Sequence, residues 1–121
     1  MKSHFEPGIR IRIIKAWQAS YAHAICFKTG DHVKCEKTDS DWPGWTWCSS
    51  QDGRSCWAPQ ILLQVEDEDH ALFLDDYCSA ELTVTPNEIL QIRKEVMGWC
   101  WVVNEKGEQG WVPGFCLDKE R

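Results

Sequence analysis

Short alternations of apolar and polar residues run through the chain. Leu82-Thr83-Val84-Thr85 has the two-residue period of a half-buried strand. In His32-Val33-Lys34-Cys35 the apolar pair Val33 and Cys35 falls on one face, as Leu90 and Ile92 do in Ile89-Leu90-Gln91-Ile92. Turn residues punctuate these runs. Gly30-Asp31 and Asn87-Glu88 are turn pairs, and Gly and Asn are the residues that most readily accept positive φ. Asp52-Gly53 parts the run Trp45 to Ser49 from Ser55-Cys56-Trp57, the signature of a hairpin whose two turn residues both need positive φ. Lys106-Gly107 holds the corresponding place further on. No segment carries a helical stripe, so the predicted class is all-β.

The pattern occurs twice. Gly44-Trp45-Thr46-Trp47 returns as Gly98-Trp99-Cys100-Trp101, and the same offset of 54 carries Gly53 onto Gly107, Trp57 onto Trp111, Pro59 onto Pro113 and Leu63 onto Leu117. Upstream the offset is 57 and matches Phe27 with Val84, Gly30 with Asn87 and Val33 with Leu90. The difference lies in Thr38 to Pro43, a longer loop than Glu95 to Met97. Two copies of about 55 residues read as two small similar domains rather than as a solenoid. The run Gln64-Val65-Glu66-Asp67-Glu68-Asp69-His70 parts them. Its charge reads as a solvated linker.

Composition narrows the function. The net charge is −6 with no basic cluster, which disfavours phosphate backbones and anionic membranes as partners. No stretch approaches a membrane span or a signal-peptide core, which points to a soluble cytoplasmic protein. Seven cysteines, an odd number without a Cys-x-x-Cys pair, fit free thiols acting as small hydrophobes in a reducing cytosol.

The second copy resembles a Src-homology-3 (SH3) domain from Ala71 to Leu117. Ala71-Leu72-Phe73-Leu74-Asp75 is similar to the family's opening Ala-Leu-Tyr-Asp-Tyr, and Glu81-Leu82-Thr83-Val84 to its Glu-Leu-Ser-Phe. Gly107-Glu108-Gln109-Gly110-Trp111-Val112-Pro113 resembles its Gly-x-x-Gly-hydrophobic-x-Pro, the most specific match. The first copy keeps Gly30-Asp31, Trp45, Gly53 and Trp57-Ala58-Pro59. The pair also resembles small stand-alone bacterial proteins of tandem SH3-like domains. The resemblance implies two five-stranded SH3-like barrels at 9–64 and 70–119, after an N-terminal extension (1–8) and joined by the acidic linker 65–69.

It further implies a non-catalytic interaction module that binds a peptide or protein surface on aromatic grooves, the family's usual ligand being a polyproline helix. The groove would use Trp99, Pro113 and Phe73, with Tyr77 close by, in the second copy. In the first it would use Trp45 and Pro59, with Trp17 or Tyr21 supplying the opening aromatic and Trp42 in the inserted loop. The family's Tyr three residues after the Pro is here Leu62 or Cys116, so two flat faces for proline stacking are missing. Acids from Glu66 to Asp76 would favour a basic partner. For Trp47, Trp57, Trp101 and Trp111, a place in the barrel core or in the seam between the domains is the favoured reading.

Two other classes stay open. One is a structural or accessory subunit whose grooves are buried in an interface. The other is a metal- or thiol-responsive protein. Cys48 and Cys56 lie on the two arms of one hairpin and, with His23 or His32, would give soft ligands for zinc, although they align with apolar positions and lack the spacing of a zinc knuckle. The expectation is no metal, no cofactor and no catalytic residue. Cys26 and His23 have no third partner to orient a base, and there is no Gly-rich phosphate loop.

Overall fold

The computed structural model describes residues 8–20 and 24–119. The chain is all-β and forms two compact units, one made of Met1–His23 with Ala80–Arg121 and one of Ala24–Ser79.

In the discontinuous unit, β1 (Arg10–Ile13) lies between β9 (Ile89–Val96) and β12 (Leu117–Lys119), and β9 continues to β10 (Trp99–Val103) and β11 (Gln109–Pro113). The sheet order is β11-β10-β9-β1-β12. The continuous unit holds β2 (Cys26–Phe27), β3 (His32–Thr38), β4 (Trp45–Ser49), β5 (Ser55–Pro59), β6 (Leu63–Val65), β7 (His70–Phe73) and β8 (Tyr77–Cys78). Its five-stranded sheet runs β5-β4-β3-β7-β6, and β2 pairs with β8. The two large sheets have the same order once β1 is equated with β7 and β12 with β6. In each, a single 3₁₀ turn, Gln60–Leu62 or Gly114–Cys116, separates the last two strands of the repeated stretch.

Alternation builds both cores. Ile11 and Ile13 point inward from β1 and pack with Val84, Leu90, Ile92, Cys100, Val102, Val112, Cys116 and Leu117. In the continuous unit Ala71 and Phe73 take the place of the two isoleucines and are fully buried. Phe73 stacks between Phe27 and Tyr77, at 4.8 and 5.8 Å between ring centres. The Arg54 guanidinium lies 4.5 Å from the centre of the Phe27 ring.

The division at 64 and 70 expected from the repeat is not where the structure divides the chain. β1 pairs with β9 and β12, not with the strands of the copy that follows it. β7 pairs with β3 and β6 of the preceding copy. The reason is local. Only four residues join Val65 to His70, a hairpin-length connection that makes consecutive strands antiparallel neighbours. The stretch 65–69 is therefore a strand end and a turn rather than a linker. Glu66 N–H donates to the His70 carbonyl at 2.9 Å. The Asp67 carboxylate accepts the N–H groups of Asp69 and His70 at 3.2 and 3.1 Å.

Two turns behave as their residues require and one does not. Gly30 and Asn87, equivalent in the repeat, both have positive φ, at 90° and 77°. Between β4 and β5, Gly53 has φ 90° but Asp52 does not share the left-handed region. Ser50 N–H instead bonds the Arg54 carbonyl at 2.8 Å across a longer loop. The turn with two left-handed residues joins β9 to β10, at Met97 (φ 47°) and Gly98 (φ 88°).

Candidate functional site

An aromatic cleft forms in the discontinuous unit from three separate stretches of chain. The tight Met97-Gly98 turn delivers Trp99 to the start of β10, directly opposite Pro113 on β11. Gly114 N–H then bonds the Gly98 carbonyl at 2.9 Å and begins the 3₁₀ turn. A Cβ on Gly114 would lie 3.2 Å from that carbonyl oxygen, so the close approach favours glycine. The turn buries Cys116 and leaves Phe115 outside, 49% exposed.

Trp17 comes from the segment after β1. It exchanges backbone hydrogen bonds with Val84, at 3.0 and 2.9 Å. Its indole Nε1–H donates to Glu81 Oε1 at 3.0 Å, and the same oxygen accepts the Ser20 N–H at 3.1 Å. Ala19 N–H donates to Thr83 Oγ1 at 3.0 Å. These bonds fix the ring edge-on to Trp99, 5.4 Å between centres and 83° between planes, and 6.1 Å from Phe115. Lys15 Nζ lies 5.2 Å from the centre of the Phe115 ring. Trp17 and Trp99 are half-buried, so each keeps part of its face open. The cleft therefore offers flat apolar faces with one cation at the rim. Two carboxylates border it: Glu81, which already accepts two internal donors, and Glu95, whose Oε2 would lie 4.0 Å from a Cβ on Gly114.

The expected groove residues are distributed differently. Trp99 and Pro113 come together, but Phe73 and Tyr77 lie in the core of the other unit, 0% and 4% exposed. Tyr77 Oη–H donates to the Trp57 carbonyl at 2.7 Å and so is occupied. Trp45 faces Pro59 across β4 and β5, as Trp99 faces Pro113, but Trp45 is only 5% exposed and offers no open face. Trp42 is half-buried in a loop built on Asp39, whose carboxylate accepts the N–H groups of Asp41 and Trp42. Tyr21 lies outside the described residues. Trp17, expected beside Trp45, stands beside Trp99 because β1, which leads into it, belongs to the other sheet.

Phe115 escaped the sequence reading. It lies two residues after Pro113, where the family's spacing points to the third. The third, Cys116, is a core residue. An aromatic next to Pro-Gly at a strand end was the signal that could have found it.

The remaining tryptophans form a repeated device. Trp47 faces Trp57, and Trp101 faces Trp111, each pair edge-on at 5.3 and 5.2 Å. Lys37 lies over the first pair and Lys94 over Trp111. Only Trp111 is buried; the other three are half-buried on the sheet surface rather than in the core expected for them. Such cross-strand pairs stabilise hairpins by about 0.5–1.5 kcal/mol beyond area burial.

The cysteines depart from the sequence reading as well. Cys26 and Cys78 form a disulfide. Cys48 and Cys56 do lie side by side across the hairpin, with Cys35 on the other side of Cys48. Burial raises all three thiols, Cys56 to about 12. His32 is turned away from them and contacts Glu66 at 2.7 Å, and His23 lies outside the described residues. The zinc set of Cys48, Cys56 and His32 is not assembled.

At the 66–69 turn His70 Nδ1 contacts Asp67 at 3.0 Å and Asp69 at 2.8 Å, and its pKa is raised, mainly by the hydrogen bond to Asp67. Among the described residues, no helix is long and apolar enough to cross a membrane. No protein-family model matches the chain, and no curated protein matches it in sequence.

Proposed function

We propose that the protein is a non-catalytic interaction module of two SH3-like barrels, and that the Trp17–Trp99–Phe115 cleft is its working surface. Its ligand is an extended peptide or a protein segment that presents flat apolar groups such as proline rings. The convergence of these three rings, from chain positions 17, 99 and 115, carries the reading. Aromatic faces that are held rigidly, half-open and flanked by a buried proline are costly to leave in water and are the usual anchors of binding hot spots.

The continuous unit supports a different role. Its equivalents of Trp99 and Trp17, namely Trp45 and Tyr77, are sealed in its core, and the exposed place of Phe115 is taken by the non-aromatic Ile61. This observation favours the accessory reading for that unit, a structural domain rather than a second groove.

The test is capture of partners from a cell lysate by wild type, Trp99→Ala and Trp45→Ala, each checked for folding. A partner lost only with Trp99→Ala supports the assignment. Loss of that partner only with Trp45→Ala, or its retention by both variants, overturns it.

A further inference from the structure

The continuous unit leaves the rest of the chain at residue 24 and returns to it at residue 79, and its two ends are held together by little backbone. β2 and β8 share only two rungs, Cys26 opposite Cys78 and Phe27 opposite Tyr77. Beyond them, Ile25 N–H donates to Ser79 Oγ and Ser79 N–H to the Ile25 carbonyl, each at 2.9 Å. The Arg54 guanidinium donates to the Cys26 carbonyl at 2.7 Å. Across this short ladder runs the disulfide, between cysteines 52 residues apart in sequence. It turns residues 26–78 into a covalently closed ring.

The other cysteines are placed so as not to interfere. Cys26 is the exposed one of the seven, while Cys48, Cys56, Cys100 and Cys116 are buried and Cys35 is half-buried. Exchange needs a thiolate with access to a sulfur. Burial raises the pKa of the five free thiols and keeps Cys48, Cys56, Cys100 and Cys116 out of reach.

We propose that the Cys26–Cys78 bond is a redox site, open to dithiol reductants, that controls the integrity of the 24–79 unit and leaves the aromatic cleft untouched. A dithiol attacks one sulfur and the Cys26–Cys78 bond breaks. The dithiol gives up two electrons and its two protons and becomes a disulfide. Cys26 and Cys78 end as two thiols. Loop-closure entropy for a ring of this length corresponds to about a thousandfold change in the equilibrium for opening the unit.

The experiment uses the full chain, purified without reductant, then compared with and without dithiothreitol. Intact mass and alkylation mapping come first. The expected result is one disulfide, with Cys26 and Cys78 alone becoming alkylated after native reduction. Hydrogen exchange is then followed in both states. Peptides from β3 to β5 are expected to exchange at least tenfold faster after reduction, and those from β9 to β11 to change less than twofold. A Cys26→Ser/Cys78→Ser variant should show the fast pattern and no response to dithiothreitol. Should that variant not fold, the reduction of wild type decides alone. Free thiols at both positions after oxidation by glutathione disulfide, or exchange in β3 to β5 indifferent to reduction, overturn the proposal.

Discussion

The cleft depends on a few side chains whose roles separate cleanly. Phe115 is half-exposed and sits in a 3₁₀ turn, so Phe115→Ser should weaken ligand binding roughly tenfold or more while leaving the fold intact, as a titration and a thermal melt would show. Unchanged affinity would remove Phe115 from the site. At the other unit's acidic turn, His70 has a raised pKa because Asp67 hydrogen-bonds its imidazolium, and Asp67 is lowered in return. The sign follows from linkage. The His70 contribution is full below its unfolded value near 6.5 and is lost as pH rises through the higher folded value. The Asp67 contribution is lost as pH falls through its lowered value. The contact is therefore strongest in mildly acidic solution. NMR titration should give His70 a midpoint above 6.5, and Asp67→Asn should bring it down; an unchanged midpoint in that variant would refute the pairing. Trp99 and Pro113 were legible in the sequence because rare residues recur at one offset. Trp17 was visible but assigned to the wrong neighbours, and Phe115 was missed because its partners are defined only by the 3₁₀ turn.

Among the elements, the strands of the two tryptophan hairpins were readable, but residues 82–85, expected as a strand, make only isolated bridges, at Val84 and beside it at Glu81, and strand partners were not readable. Arg10-Ile11-Arg12-Ile13 and His70-Ala71-Leu72-Phe73 both present two inward apolar residues, so either fits the slot beside β3 or β9. What decides is the four-residue turn after Val65, which pairs β6 with β7 and leaves the β9–β12 slot to β1. Gly110 marks a contact specific to the discontinuous unit. Its equivalent is Cys56, yet a Cβ on Gly110 would fall 2.7 Å from the Leu82 backbone nitrogen and 2.8 Å from the Glu81 carbonyl carbon. The backbone of Glu81 bridges in parallel to Trp111 at this point. Gly110→Ala should therefore destabilise that unit by about 1–3 kcal/mol. A thermal or denaturant melt equal to wild type would show that the strand can move aside. Because Glu81 also anchors Trp17, the same variant should broaden the Trp17 indole resonance.

Across the whole molecule, the excess of acids and the Trp17–Trp99–Phe115 cluster fall in different units. Residues 24–79 hold eleven Asp and Glu against four Lys and Arg, whereas the rest of the chain holds eight against nine. The acids expected to attract a basic ligand thus lie in the unit whose Trp45 and Tyr77 are sealed. Ligand binding at the Trp99 cleft should accordingly show little salt dependence, in contrast to the steep dependence of a site rimmed by acids. The central claim is that Trp17 and Trp99 together form a ligand surface. Its most direct measurement is an indole N–H NMR titration of the full chain with a panel of proline-rich peptides, basic-flanked and neutral, beside a proline-free apolar control. The account predicts saturable shifts of the Trp17 and Trp99 indoles with at least one proline-rich peptide, abolished by Phe115→Ser, while the Trp45 and Trp57 indoles stay still. Shifts confined to the tryptophans of residues 24–79, or no shift with any peptide of the panel, would contradict it.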